Sequence, residues 1–415
     1  MWTLIRRLAR AARGVAISGG YREYMADLPD GFGAKQITIR VSQPPLPSRP
    51  IFSFSEHVMD EAGRPTDMLI AVGKGGFAIS KDLGRSWKRV RIPGRESHRF
   101  VHAKWIGKSE LLLQSYRGET RGPNKPLVDL LVVSEDGKLL AEHPSLGHRW
   151  HGCRAVGQAG ETLMYAEYPR NEPVKGKRTT SARVLRSRDR GRSWQVVFEQ
   201  PPENIRHFHF LQPRPGNPGE WWLTSGDAPH ESHIWVSKDD GDSWMDMTAS
   251  LPREIDVDGT IYERDAFRLT DLVWLDDQVI WGTDDPLGSA NPPGACVFHS
   301  KTGPVLAPHL IGRGQWHFRN IVDIGEYLVL LSQRATRFRA EETLRKPGVY
   351  LMSKKTSAFT HLFDVDCTPS EARASGFTFS RASRAAKDGK FFTCRSDEDL
   401  FASGQKVLEW QVRLK

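Results

Sequence analysis

The sequence contains few cysteines, no long hydrophobic run and no familiar nucleic-acid-binding motif. Its four cysteines are isolated and lack CxxC spacing, so they indicate neither a zinc site nor a disulfide framework: Cys153, Cys296, Cys367 and Cys394. No stretch of about 18 consecutive apolar residues is present, and no membrane-spanning helix is therefore expected. Without an RRM, KH or zinc-finger pattern, nucleic acid is not expected as a partner.

The first 20 residues lack the apolar core of a classical signal peptide, because arginines interrupt it at Arg6, Arg7, Arg10 and Arg13. We therefore expect a cytoplasmic protein. The apolar residues of this stretch follow helical spacing, as in a basic helix that lies on anionic lipid: Trp2, Ile5, Leu8, Ala9 and Ala12. Residues 1–34 are interpreted as a basic arm that forms a short helix packed on the domain or a frayed tail. A helix that contacts the inner membrane is the alternative.

The composition is that of a basic globular protein rich in turns. Of 415 residues, 39% are hydrophobic, and 37 glycines and 26 prolines accompany 13 tryptophans, which favours an all-β architecture. The net charge of +9 favours anionic partners such as acidic glycans or an anionic membrane surface.

One eight-residue pattern, S-x-D-x-G-x-S-W, occurs three times, beginning at Ser80, Ser187 and Ser237. Shortened copies that fill the gaps begin at Ser134, Ser300, Ser353 and Ser403. Successive copies, full or shortened, begin 50 to 63 residues apart. Seven units of this length, each with several short β-rich runs, are typical of a β-propeller. The sequence therefore predicts a seven-bladed β-propeller with four-stranded blades over residues 35–415.

Each copy falls between the third and fourth β-rich run of its unit, where a tight hairpin turn is needed. The carboxylate of Asp82, Asp189 or Asp239 can accept backbone N–H groups of that turn, and the following glycine can adopt a positive φ. We interpret the motif as a structural staple. A calcium or catalytic role for these aspartates is the alternative.

The repeated words resemble the Asp-box, or BNR repeat, of sialidases and many other propellers. The resemblance implies a blade turn within the sialidase superfamily and implies little about activity. Sialidases of that type are six-bladed and carry Arg-Ile-Pro near the start of the first blade, whereas here Arg91-Ile92-Pro93 follows the first repeat. The sialidase arginine triad and tyrosine nucleophile are therefore not transferred. The stretch from about Tyr165 to Asp285 also resembles a group of bacterial sialidase-superfamily proteins.

A second pattern places Arg or His at the predicted start of five inner strands, which line the central channel of a propeller. The residues are Arg99, His102, Arg149, His151, Arg206, His207, His209, Arg268, His317 and Arg319. Acidic and phenolic groups follow the second strands: Glu167, Tyr168, Asp227 and Asp284. Strand alternation predicts that His207 and His209 point to one side and Arg206 to the other. These groups form either a polar girdle or a funnel that binds an anionic sugar.

For a uronate-containing polysaccharide, β-elimination requires a neutralised carboxylate, a base and an acid. We predict a lyase in which Arg206 and Arg149 clamp the carboxylate, His207 or His209 is the base and Tyr168 is the acid. A hydrolase would use carboxylates such as Glu167, Asp227 or Asp284. A non-catalytic glycan-binding or protein-binding module is the third hypothesis.

No cofactor is expected. A divalent metal is the alternative, because five potential ligands lie close in sequence: His207, His209, Asp227, His230 and His233. Their spacing matches no familiar ligand motif.

Overall fold

The structure of the protein is a computed structural model. It describes residues 15–17, 21–42, 53–116, 128–148, 152–169, 177–249, 254–257, 259–283, 296–303, 306–314, 317–333, 348–365, 378–396 and 406–415. The described part is built from strands and short 3-10 helices, and none of its helices has the length and hydrophobicity needed to cross a bilayer.

Three strands precede the first blade: β1 (Val15–Ile17), β2 (Tyr21–Asp27) and β3 (Gln36–Ser42). The first blade contains β4 (Ser53–Met59), β5 (Pro65–Gly73), β6 (Gly76–Ser80) and β7 (Lys88–Arg91). The second contains β8 (Arg99–Gly107), β9 (Glu110–Tyr116), β10 (Val128–Ser134) and β11 (Leu139–Gly147). After the 3-10 helix η1 (Gly152–Ala155), the third contains β12 (Val156–Ala159), β13 (Thr162–Ala166), β14 (Ala182–Ser187) and β15 (Gln195–Gln200).

The fourth blade contains β16 (Phe208–Pro213), β17 (Trp221–Ser225), β18 (His233–Ser237) and β19 (Met245–Asp246), with η2 (Pro229–Glu231) before β18. A hairpin of β20 (Glu254–Val257) and β21 (Thr260–Glu263) and the helix η3 (Arg264–Phe267) lead to the fifth. The fifth contains β22 (Leu269–Leu275), β23 (Gln278–Thr283), β24 (Cys296–Lys301) and β25 (His309–Arg313). The sixth contains β26 (His317–Asp323), β27 (Tyr327–Gln333), β28 (Gly348–Ser353) and β29 (Phe359–Asp364). The seventh begins with β30 (Thr378–Ala382), β31 (Lys390–Ser396) and β32 (Lys406–Leu414).

The ring closes through pairing between the two ends of the chain. Strand β3 pairs antiparallel with β32, so it is the fourth strand of the seventh blade, and β2 and β1 extend the same sheet outward. The stretch 1–34, interpreted as a separate arm, therefore contributes two strands to this sheet. Residues 1–14, which carry the helical spacing, lie outside the described residues.

The strands form seven antiparallel blades around an axis, which confirms the predicted seven-bladed all-β propeller. The first strand of each blade is the inner one, and these strands contact one another in the order β4, β8, β12, β16, β22, β26, β30 and back to β4, with η1 between β8 and β12. Hydrophobic clusters lie between adjacent blades, so each blade buries its two faces against its neighbours.

The repeat turns are hydrogen-bonded hairpins between the third and fourth strands, and the staple role predicted for their aspartates is confirmed. In the fourth blade, the Asp239 carboxylate accepts the backbone N–H of Ser243 at 2.8 Å and the hydroxyls of Ser237 and Ser243. Gly241 has φ +86 and donates its N–H to the Ser237 hydroxyl oxygen at 2.8 Å. The turns at Asp82 and Asp189 repeat these bonds.

Replacing Asp239 with Ala is expected to lower the free energy of unfolding by about 1 kcal/mol near pH 7, because the donors of this turn lose their acceptor. The hydroxyl and N–H of Ser243 lower the pKa of Asp239 to about 2. The carboxylate therefore stabilises the fold above its unfolded pKa of about 3.9, and this contribution is lost as the pH falls through about 2. Urea unfolding from pH 6 to pH 2 should show the variant converging on the wild type. A difference in the free energy of unfolding that stays constant across that pH range would contradict the role of the Asp239 carboxylate. The control is Lys238→Ala, which changes an exposed residue of the same turn.

Candidate functional site

Six of the inner strands contain a register shift at the same place relative to the second strand. The shifts lie between residues 54 and 56, 100 and 102, 208 and 210, 269 and 271, 318 and 320, and 379 and 381. In each case the residue directly before the shift is cationic or polar. In blades 2, 4, 5 and 6 this residue is Arg99, His207, Arg268 and His317, respectively. The structure therefore brings these four residues to equivalent points around the channel, and bulges at such points re-aim side chains.

Some polar side chains of the inner strands connect neighbouring blades. The Ser55 hydroxyl accepts the N–H of Ala103 at 2.7 Å, and Asp271 accepts the N–H of Ile321 at 2.9 Å. The side-chain amide of Gln212 donates to the carbonyl of Val156 at 2.7 Å. These contacts involve residues other than the Arg and His residues of the predicted girdle, and they account for part of the polar lining.

A different arrangement is found at the start of blade 4, where three side chains converge on the carboxylate of Asp227. Arg206 Nη1 lies 2.9 Å from Asp227 Oδ2. His207 Nε2 lies 3.3 Å from Oδ2, and His209 Nε2 lies 3.5 Å from Oδ1. The two Nε2 atoms are 3.1 Å apart, and His209 Nδ1 lies 3.2 Å from the Leu269 carbonyl oxygen of blade 5.

The backbone explains this convergence. Strand β17 ends at Ser225, and Gly226 has φ +143, a conformation in which a Cβ would approach the Ser232 hydroxyl to 2.8 Å. This turn directs Asp227 toward the start of β16. The prediction that Arg206 points away from the histidines is wrong, because β16 begins only at Phe208 and alternation does not extend to Arg206.

The cluster is buried on one side and partly open on the other. His207 and His209 are each 2% exposed, and burial lowers the pKa of His207 to about 4. Burial raises the pKa of Asp227, but the contacts with His207 and His209 outweigh it and hold that pKa well below its usual range. The half-buried Tyr168 stacks on His207 with ring centroids 3.6 Å apart, so its ring covers the histidine pair.

Glu167 lies next to Tyr168, and both oxygens of its buried carboxylate are engaged in an ion pair with Arg183. Arg183 donates to them from Nη2 at 2.7 Å and from Nε at 2.9 Å, and the N–H of His148 donates at 2.8 Å. The carbonyl of Glu167 accepts the N–H of Phe208 at 3.2 Å, which ties the end of β13 to the start of β16. Glu167 therefore fixes the chain that carries Tyr168 against His207.

Arg268 lies one residue before Leu269, whose carbonyl oxygen contacts His209 of this cluster. Arg268 is half-buried, and its Nε is buried without a hydrogen-bond partner. Among the residues that the structure describes, no carboxylate pairs with it. Because a half-buried guanidinium without a counter-ion is unfavourable, this position is suited to an anionic ligand.

The other predicted site residues are distributed as follows. Arg99 is exposed at the start of β8, His102 is buried on the same strand, and His317 is buried at the start of β26. Arg319 lies on β26. Arg149, His151 and Asp284 fall outside the described residues. The structure thus groups Arg206, His207, His209, Asp227 and Tyr168, and Arg268 directly precedes β22, the neighbouring inner strand.

Sequence reasoning missed Arg183, which neutralises Glu167. Arg183 lies on β14, a third strand, and the prediction considered cations only on inner strands. The cross-strand neighbours Ala166 and Val184 place Glu167 beside Arg183. A search for cations opposite Glu167 on the next strand of the same blade could have found this pair.

No family model matches the sequence, and no curated protein matches it. Solved structures match its fold. YCF48 from Cyanidioschyzon merolae has a TM-score of 0.53 at 9% identity, covering 89% of this chain and 98% of that one. A chain in the mitotic checkpoint complex has a TM-score of 0.51 at 10% identity, covering 97% and 99%. A puromycin hydrolase has a TM-score of 0.50 at 12% identity, covering 94% and 58%.

At these identities the matches show the β-propeller fold alone. They do not show a sialidase-superfamily assignment, which stays a prediction from the repeat.

Proposed function

We propose that this propeller is a carbohydrate-active enzyme that binds an acidic, uronate-containing glycan over blades 3 to 5 and cleaves it by β-elimination. The observation that carries the proposal is the half-buried Arg268, which is unmatched within the described part of the chain and directly precedes Leu269, whose carbonyl oxygen lies 3.2 Å from His209 Nδ1 of the cluster. Arg268 can hold a carboxylate of the sugar, and Tyr168 can exchange protons with the sugar.

Arg268 is the better clamp for the uronate. Arg206, given that role from the sequence, already donates to Asp227, so its charge is matched inside the protein. A guanidinium binds a carboxylate through two parallel hydrogen bonds. This pairing fixes the orientation of the sugar and neutralises the charge of its carboxylate. Neutralising the carboxylate acidifies the adjacent C5–H bond.

Tyr168 is the group that the cluster presents to a ligand. The histidines predicted as bases are 2% exposed and directed at Asp227, whereas Tyr168 is half-buried. We assign both proton transfers to the Tyr168 oxygen. In its ionised form it takes the C5 proton, the C4–O bond breaks as the C4–C5 double bond forms, and the proton passes to the departing glycosidic oxygen.

A hydrolase is less well supported by this geometry. It would need two available carboxylates, one as acid and one as base or nucleophile. Glu167 is held by Arg183 and Asp227 by Arg206, so both predicted carboxylates are already committed to ion pairs. The third predicted carboxylate, Asp284, is outside the described residues.

Replacing Arg268 with Ala is expected to raise the KM for a uronic-acid polymer about 10- to 100-fold, because a charge-assisted interaction of about 1.5–3 kcal/mol is lost. Product formation is followed by the ultraviolet absorbance of the unsaturated uronate. Arg268→Lys should recover part of the loss, since it keeps the charge without the paired donors. Lys355→Ala, which removes an exposed cation from the sixth-blade turn, is the control. Unchanged kinetics in Arg268→Ala would reject this clamp, and binding without product would favour a non-catalytic module.

A further inference from the structure

We infer that His207 Nε2, His209 Nε2 and the carboxylate of Asp227 form a binding site for one divalent metal ion, with Zn²⁺ as the best match. The inference concerns the buried side of the cluster and stands independently of the glycan and of the reaction proposed above. It assigns a ligand to three side chains that the proton transfers by Tyr168 do not use.

The separations between the three donor groups are those of a metal coordination shell. The two Nε2 atoms are 3.1 Å apart, His207 Nε2 lies 3.3 Å from Asp227 Oδ2, and His209 Nε2 lies 3.5 Å from Asp227 Oδ1. Zinc bonds to nitrogen and oxygen are about 2.0–2.2 Å long, and tetrahedral geometry then separates the ligand atoms by about 3.3–3.5 Å. A single ion between the two imidazoles and the carboxylate therefore satisfies ordinary bond lengths without large movement of the side chains.

The hydrogen bond of His209 to the backbone also prepares its imidazole for a cation. The Leu269 carbonyl can only accept a hydrogen bond, so His209 Nδ1 is its donor. In neutral His209 the Nε2 atom then presents a lone pair toward the Asp227 carboxylate and toward His207 Nε2. A second-shell carbonyl of this kind is the usual partner of a metal-bound histidine, because it fixes the tautomer and the ring orientation.

The chemistry of the donor set selects the ion. Two imidazoles and one carboxylate suit zinc and similar transition metals, whereas calcium and magnesium prefer oxygen ligands throughout. Arg206 donates to the same carboxylate, as second-shell partners of metal ligands do, but it adds a positive charge. The filled site would carry an excess of positive charge, which an anionic additional ligand would offset.

The other two histidines in the metal hypothesis from the sequence do not join this group. His233 Nδ1 lies 2.8 Å from Asp246 on β19, and its Nε2 lies 3.1 Å from the carbonyl of His230. The His230 side chain is 70% exposed and lies near Glu231. His230 therefore provides a matched control, since it is a nearby histidine that the three-ligand site does not use.

The test is a titration of the full chain with Zn²⁺ and Co²⁺ after treatment with a chelator. Isothermal calorimetry should give one Zn²⁺ per chain, and Co²⁺ should produce visible absorption bands of a tetrahedral complex. At a hundredfold excess of free Zn²⁺ over Kd, the melting temperature should rise by about 2–5 °C, since the ion binds the folded state. Asp227→Asn and His209→Gln should each weaken binding at least about tenfold, and His230→Gln should bind as the wild type does.

The inference is overturned if the folded wild type takes up no stoichiometric metal, or if Asp227→Asn binds Zn²⁺ as tightly as His230→Gln. Circular dichroism of each variant checks the fold. Should either ligand variant fail to fold, the wild-type Co²⁺ spectrum decides, because a nitrogen- and oxygen-ligated tetrahedral site and a loosely bound surface ion differ in intensity and position of the bands.

Discussion

Replacing Tyr168 with Phe is expected to lower kcat for a uronic-acid polymer by about 10²–10⁴-fold, the range for loss of a general acid or base. The change removes only the hydroxyl, so the ring should remain stacked on His207 and the stability should change little. Because the carboxylate of the substrate is held by Arg268, the KM should stay close to that of the wild type. Steady-state kinetics on the ultraviolet absorbance of the product measure both parameters.

The two proposed roles predict opposite patterns in the kinetics. Tyr168→Phe should act mainly on kcat, whereas Arg268→Ala should act mainly on KM. Calorimetric binding of a uronate oligosaccharide to Tyr168→Phe gives a second check, since affinity should be retained. Wild-type turnover in Tyr168→Phe would remove this residue from the mechanism. An equal loss of binding and turnover would indicate a structural defect, which a melting curve would reveal.

Replacing Glu167 with Gln is expected to lower the free energy of unfolding by about 2–4 kcal/mol. Breaking a buried ion pair commonly costs about 3–5 kcal/mol because one charge is left unmatched, and the 30% exposure of the Arg183 side chain reduces that cost. The variant also weakens the acceptor of the His148 N–H. Urea unfolding at pH 7 measures the change.

A second ion pair in the same region gives the control. Lys108 and Glu161 form a pair whose side chains are 68% and 60% exposed, so Lys108→Gln should cost less than about 1 kcal/mol. Similar losses in Lys108→Gln and Glu167→Gln would contradict the structural importance of the Glu167–Arg183 pair. The double replacement Glu167→Gln, Arg183→Met should restore part of the stability, because it leaves no unmatched charge.

The blades could be predicted from the sequence because each depends on a local turn. The bonds from Ser243 and Ser237 to Asp239 span at most four residues, so the residues that make the turn are adjacent in the sequence. The way the ring closes depends on pairing between β3 and β32, at opposite ends of the chain. No local pattern determines that pairing.

The site could be predicted in part for the same reason. Equivalent positions of Arg99, His207, Arg268 and His317 follow from the repeat, because each blade repeats one inner strand. The direction of Arg206 depends on where β16 begins, which sequence patterns locate only to within a few residues. The pairing of Glu167 with Arg183 required the cross-strand register of β13 and β14.

The Arg268 clamp is tested by calorimetric binding of a uronate oligosaccharide and of its neutral counterpart to the wild type and to Arg268→Ala. We expect the wild type to bind the acidic sugar more tightly than the neutral sugar, and Arg268→Ala to bind the acidic sugar about 10- to 100-fold less tightly than the wild type does. Equal affinity of the wild type and Arg268→Ala for the acidic sugar, or equal affinity of the wild type for both sugars, would contradict the proposed clamp.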